Sequence, residues 1–310
     1  MSGVAWGGAQ RRQLADGRWH LQHGPIDLII GAQGTAAALD AAHAAAWARF
    51  GPLLAELVAE LPMLRQPVPS TGQNPLRGLV ARRMWAACAP LRSEAAGFIT
   101  PMAAVAGAVA QELVACYRRP GIQRAWINNG GDIALHLAPA ESAQVGLFAD
   151  LSALDSAVAA TCTEVGTLRT DAAFAVHADD PVRGIATSGW RGRSFSLGIA
   201  DSVTVLAASA AMADAAATVI ANAVDVNDAR ILRRPANALR DDSDLGERLV
   251  TVAVPPLPAA LVQAALLCGL ACAQRLQAAG LVHAALLVCQ GSLARLMAPA
   301  ALQSANQLVQ

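Results

Sequence analysis

Long alanine-rich segments with helical periodicity alternate with groups of short strands, and this alternation limits how the chain can pack. The clearest examples are TAAALDAAHAAAWARFGPLLAEL (35–57) and SAAMADAAATVIANA (209–223). Alanine is the best helix former, but it buries little area per residue, so the helices must approach their neighbours closely instead of interleaving bulky side chains. With 55% hydrophobic and 15% charged residues, the sequence is that of an ordered, compact protein.

Read in order, residues 18–31 predict two short strands joined at Gly24-Pro25. A helix from about Thr35 to Leu61 follows, with Thr35 as N-cap and Leu53, Leu54, Leu57, Val58 and Leu61 on its apolar side. Asp40 and His43, three apart, fit a surface hydrogen bond better than a catalytic dyad. Residues 62–78 are rich in proline and form a loop or boundary. Helical character resumes over Leu79–Cys88 and again from about Pro101, where Ala103, Gly107 and Ala110 make a flat face suited to a packing seam or to a ligand ring.

From Ile122 the pattern is that of strands. Asn128-Asn129-Gly130-Gly131 marks a tight hairpin turn, because Asn and Gly tolerate positive φ. Further strands are expected at Gln144–Phe148, Ala172–His177, Val182–Ala186, Arg193–Leu197, Ser202–Leu206, Leu249–Val254 and His283–Cys289. Helices are expected at Ser209–Ala223 and Leu257–Ala278, and the polar stretch 225–247 covers an edge or partner surface. Helices alternating with hairpin-rich strand groups give an α+β, or mixed α/β, class. The 310 residues can form one domain or two intertwined subdomains.

All 23 basic residues are arginine, which excludes Schiff-base chemistry and a lysine-bearing phosphate loop. Net charge is zero, so there is no global field for nucleic acid or an anionic membrane. The run Pro255–Gln274 has membrane-spanning length, but its prolines, alanines and flanking Arg275 predict a buried helix. The opening MSGVAWGGAQRRQ lacks the basic start and apolar core of a secretory leader. Six scattered cysteines without CxxC spacing read as reduced, packed residues, including Cys268 and Cys272 on one helical face. Together these features predict a cytoplasmic protein, and its apolar alanine faces suit a homodimer.

Chemistry concentrates in Gly184–Asp225 and in the Asn-Gly turn. Asp214 and Thr218 are four apart on one helical face, with Asn222 a further turn on. A carboxylate beside a hydroxyl suits either magnesium, a hard cation that keeps several waters, or the capping of a neighbouring loop. Thr187-Ser188-Gly189 with Arg183, Arg191 and Arg193 can hold a pyrophosphate, and Trp190 can stack on a flat heterocycle; a solvated arginine loop is the alternative. Asp132 directly follows two glycines, which fits a ligand site or a plain turn equally.

The blocks INNGGDI (127–133), GIATSG (184–189), SVTV (202–205) and ADAAAT (213–218) resemble, in the same order, those of the ApbE superfamily of FAD-dependent FMN transferases. The likeness spans about residues 95–225 and is with a conserved ApbE-related family in which FITPMAAVAGAVA (98–110) replaces the transferase segment packed by the flavin. The resemblance implies an ApbE-like fold with antiparallel-rich sheets against alanine-rich helices. It implies that Asp214 and Thr218 hold a magnesium ion, that Asn128, Gly130, Gly131 and Asp132 line a nucleotide site, and that Thr187, Ser188 and Gly189 lie beside the flavin diphosphate; the cofactor it implies is FAD or FMN. The transferases also carry a His-x-x-Asp-Pro-x-Thr-Gly segment after the TSG loop; here only Trp190–Ala200 stands there, so the histidine and aspartate of the transfer have no counterpart.

Three functions follow as expectations. The first is binding of a phosphorylated flavin or related heterocycle with magnesium, with metal-assisted transfer or hydrolysis at a pyrophosphate. The second is an enzyme acting on a pterin-like ring with Asp132 or His177 as proton carrier. The third is a non-catalytic cofactor-binding or scaffold protein.

Overall fold

The computed structural model describes residues 7–147 and 172–298. In chain order these form β1 (Gln10–Gln13), β2 (Trp19–His23), β3 (Ile26–Gly34), α1 (Ala36–Ala59), α2 (Leu79–Cys88), α3 (Val105–Val114), β4 (Ile122–Asn129), β5 (Asp132–Leu137), β6 (Ser142–Leu147), β7 (Ala172–His177), β8 (Gly184–Ser188), β9 (Ser202–Ala207), α4 (Ala210–Ala223), β10 (Leu232–Pro235), β11 (Leu249–Ala253), α5 (Ala259–Ala278), β12 (Ala284–Cys289) and β13 (Ser292–Leu296). Nine strands make one sheet in the order β1-β2-β3-β4-β5-β8-β9-β12-β13, and every pairing in it is antiparallel. The fold is therefore mixed α/β with antiparallel sheets.

Strand alternation gives the sheet two faces. Leu28, Ile30, Ile127, Ala134, Ala186, Val203 and Val205 point to the helices and form the main core with α1 to α5. Leu135 and Ile185 point the other way and bury a smaller cluster with Val145 and Val176 of the separate β6–β7 hairpin.

Alanine helices pack closely where glycine removes the last obstacle. A Cβ on Gly184 of β8 would overlap the backbone of Ser209 and Ala210, and a Cβ on Gly107 of α3 would overlap the Ala210 carbonyl. The start of α4 is thus wedged between a strand and a helix. Ser209 caps it, its hydroxyl accepting the Met212 N–H at 3.3 Å. The seam expected at Gly107 is therefore a backbone-to-backbone crossing.

Several local expectations are corrected. Thr35 is the N-cap of α1 but makes no side-chain cap bond, and Val58 is 46% exposed, outside the apolar stripe. His43 hydrogen-bonds Tyr117, not Asp40. Residues 193–197 are irregular, because Asn222 takes their polar groups: it accepts the Leu197 N–H at 2.8 Å and the Ser196 hydroxyl at 3.0 Å. That same bond removes Asn222 from the Asp214–Thr218 row. The edge strands β1 and β13 escape the alternation signal. QRRQ is polar throughout, and β13 is revealed only by its turn at Gln290-Gly291, both with positive φ.

Helix α5 is one-sided: Val262, Leu266, Gly269, Cys272 and Leu276 are buried, whereas Leu267 is 57% exposed. By length and composition alone Ala259–Ala278 could cross a membrane, yet its inner face packs on β12 and β13. Cys268 and Cys272 accordingly part, the first exposed and the second buried. Cys162 and Phe148 lie outside the described residues.

Candidate functional site

The β4–β5 turn is built by its own polar residues. Gly130 and Gly131 have φ of 65° and 108°, and the Asn128 side-chain oxygen accepts the Gly131 N–H at 2.8 Å. Asn128 is thus spent on the turn. Asn129, on the helix face, is buried and donates to the Ala106 carbonyl at 3.1 Å, tying the turn to the start of α3. Asp132 opens β5 on that same face and is 9% exposed. The Arg193 guanidinium crosses directly above Gly130, in space that a Cβ would fill.

Asp214 reaches the same place from α4. Its carboxylate accepts the Gly107 N–H at 2.8 Å and a second backbone N–H from Ala106, so it sits on the unpaired amides at the N-terminus of α3. Burial nevertheless outweighs those bonds and raises its pKa to about 7. Asp132 is also pushed well above the carboxylate range, by burial first and then by the charge of Asp214, while the Thr187 N–H and Arg193 pull the other way. Two carboxylates, Asp132 buried and Asp214 partly buried, therefore share a place whose surrounding N–H groups and, among the described residues, the Arg193 guanidinium do not offset both charges. Such a place attracts a proton or a hard cation.

Behind Asp214, Cys88 donates to the Thr100 carbonyl at 3.3 Å, and the Thr100 hydroxyl donates to Asp244. Burial pushes the Cys88 thiol up, and the charges of Asp214 and Asp244 push it further. It is an inert neighbour. Thr218 lies one turn beyond Asp214 on the same row of α4 and is half-buried.

Other expected residues are placed elsewhere. The Thr187 hydroxyl bonds the Thr204 hydroxyl at 2.9 Å on the sheet face away from the helices, so only the Thr187 backbone serves Asp132. Ser188 ends β8 opposite Val203 on the helix face. Gly189 is pressed on the backbone of Ala200 and Asp201. Trp190 donates its indole N–H to Asp201 at 3.3 Å, and Arg191 lies 5.0 Å above the Trp190 ring and 3.7 Å from the same carboxylate. Arg183 is used on the carbonyls of Ala178, Asp180 and Val182. His177 is exposed on the β6–β7 hairpin, on the sheet face opposite to Asp132. The α3 amides and Asn129 are the members that sequence reasoning left out, and Arg193, read with the TSG cluster, is the one of its three arginines that reaches the Asn-Gly turn; Pro101, which opens the turn before α3, was the available sign of a helix start with unpaired N–H groups.

Comparison with known proteins identifies the family of the chain. A family model described as AbpE bacteria matches residues 11–295. A UPF0280 protein of Methanospirillum hungatei is 36% identical over 137 residues, covering 44% of this chain and 50% of the relative. One from Methanopyrus kandleri is 33% identical over 197 residues, covering 61% of this chain and 70% of the relative. The chain spans about half the length of the first of these curated relatives. The flavinyl transferase ApbE of Pseudomonas stutzeri, solved in apo form, is 12% identical with a TM-score of 0.45, over 98% of each chain. The ApbE protein of Thermotoga maritima is 11% identical with a TM-score of 0.46, over 94% of this chain and 96% of that one. Since the family model runs through both edge strands and every element that carries the carboxylate pair, the chain belongs to the AbpE bacteria family.

Proposed function

We propose that the place shared by Asp132 and Asp214 binds the phosphates of a flavin nucleotide together with a magnesium ion. The observation that carries this reading is the carboxylate pair itself: two acidic side chains, each disfavoured by burial, brought from β5 and α4 to the amide-rich start of α3. Natural folds tolerate such a pair where something positive completes it. The donor set fits magnesium, because it consists of hard oxygens, the Asp214 and Asp132 carboxylates and the Thr218 hydroxyl, too few to complete an octahedral shell without waters and phosphate oxygens. No group of three or more His, Cys, Asp or Glu side chains gathers among the described residues, so the set does not resemble a zinc site.

The flavin class comes from the ApbE-like blocks, whose order the chain preserves. Arg193 above Gly130 takes the role of phosphate fork that Arg191, drawn to Asp201, does not fill. When bound, magnesium would polarise a phosphoryl oxygen and so support transfer or hydrolysis at a pyrophosphate. The chain itself positions: Asp214 is held by the Gly107 and Ala106 amides, and Asp132 by the Thr187 amide. The test is thermal unfolding with FAD and magnesium, alone and together. A joint stabilisation that Asp214→Asn abolishes supports the proposal; no response to any flavin nucleotide rejects it.

A further inference from the structure

A polar cleft lies at the β1 edge of the sheet, between α1 and the β1–β2 hairpin. It is about 500 Å³ in volume, and its wall includes Arg11, Trp19, Ala32, Leu39, Asp40 and His43. The strand order puts β4 and β3 between β5, which carries Asp132, and β2, which carries Trp19. The cleft is therefore separate from the carboxylate pair.

Its donors are prepared. The Arg11 guanidinium is stacked between two indoles, 5.2 Å from the Trp19 ring centre and 5.0 Å from that of Trp47. No carboxylate pairs with it among the described residues. Fully buried Tyr117 has one hydrogen-bond partner for its hydroxyl among the described residues, Nδ1 of His43 at 2.7 Å. Burial keeps the phenol protonated, so the hydroxyl donates and Nδ1 accepts. Burial also keeps the imidazole neutral, with Asp40 opposing and Arg11 adding to the effect. Nε2 must then carry the ring proton. It has no protein partner among the described residues and is not sealed in the core. A fixed cation and a fixed N–H donor thus meet at one cleft.

The remaining walls define the rest of the ligand. Ala32, Ala36 and Leu39 offer an apolar surface, and exposed Asp40 at the rim disfavours a second negative charge. We infer that this cleft binds a small aromatic monocarboxylate, the carboxylate on Arg11 and His43 and the ring on the apolar wall of β3 and α1. Arginine suits this task because its planar fork matches a carboxylate while its flat face stays on the tryptophans.

The experiment is a titration of the full chain with benzoate, benzamide and phenyl phosphate, followed by tryptophan fluorescence and calorimetry. Saturable benzoate binding, with benzamide at least about tenfold weaker and phenyl phosphate weaker than benzoate, is expected. Arg11→Gln should weaken benzoate at least about tenfold without changing the melting temperature, and Asp40→Asn should strengthen it severalfold. A gain of affinity cannot arise from misfolding, so Asp40→Asn keeps the test decisive if the arginine variant is unstable. Equal binding of benzamide and benzoate, tighter binding of phenyl phosphate, no saturation by benzoate, or no gain in Asp40→Asn overturns the proposal.

Discussion

Asp214 and Gly107 meet across the α3–α4 crossing, the carboxylate accepting the glycine N–H at 2.8 Å where a Cβ would lie 2.9 Å from the aspartate Cβ. One position therefore serves both packing and the site. Gly107→Ala must push α3 off the Ala210 carbonyl and lengthen the Asp214 bond. A loss of about 2–3 kcal/mol in urea unfolding is expected, in the range of overpacked cores. An unchanged unfolding midpoint would contradict the crossing as described.

The carboxylate pair also predicts a pH dependence. Asp214 has a folded pKa near 7, raised by burial above its ordinary 3.8, so the folded state holds the proton that the unfolded chain releases. Its stabilising effect is complete below about 4 and is lost as pH rises from there to 7. Without added cations, Asp214→Asn should be more stable than the parent at pH 8, by a few kcal/mol at most, with the difference closing toward pH 4. Urea midpoints across that range decide it; a variant less stable at both ends would reverse the sign.

Magnesium should replace that proton. In the parent protein, magnesium chloride is expected to raise the melting temperature at pH 8 and to lose its effect as pH falls toward 5, since cation and proton compete for the same oxygens. Asp132→Asn should blunt the response, whereas His177→Asn, on the far hairpin, should leave it intact. Equal responses in all three proteins would separate the pair from any cation.

How much of this was legible in the sequence depended on the range of the interactions. Alanine periodicity and Ser209 located α4 to within a residue, and Asn128-Asn129-Gly130-Gly131 located the turn, because caps and turns are decided within a few residues. The three arginines of the TSG region could not be told apart. Arg183 is drawn to local carbonyls, Arg191 to Asp201 and Arg193 to a turn more than sixty positions earlier, and only the folded sheet chooses among these. Thr187 illustrates the same limit: its hydroxyl faces away from Asp132 because strand parity, set by pairing with β9, turns it toward Thr204.

The Thr187–Thr204 pair can be removed without touching the site. Thr187→Val keeps the backbone N–H that holds Asp132 and loses the hydroxyl contact at 2.9 Å. Stability should fall by roughly 1 kcal/mol, the net value of a partly buried hydrogen bond, with ligand and magnesium responses unchanged. A large loss of flavin response would return the hydroxyl to the site.

Glu112 supplies the clearest purely structural charge. It is 8% exposed on α3 and is bridged by Arg49 at 2.7 Å from α1 and by Arg83 at 2.8 Å from α2, joining three helices whose alanine surfaces offer little area. Burial pushes its pKa up, but the hydrogen bonds from Arg49 and Arg83 prevail and leave it lowered. A depressed folded pKa stabilises above the unfolded value of 4.5 and is lost as pH falls through the folded one. Glu112→Gln leaves two guanidiniums facing a neutral amide and should cost about 3 kcal/mol at pH 7. At pH 3, where the unfolded glutamate is already protonated, the penalty should shrink, and a penalty independent of pH would show that packing, not charge, holds the three helices together.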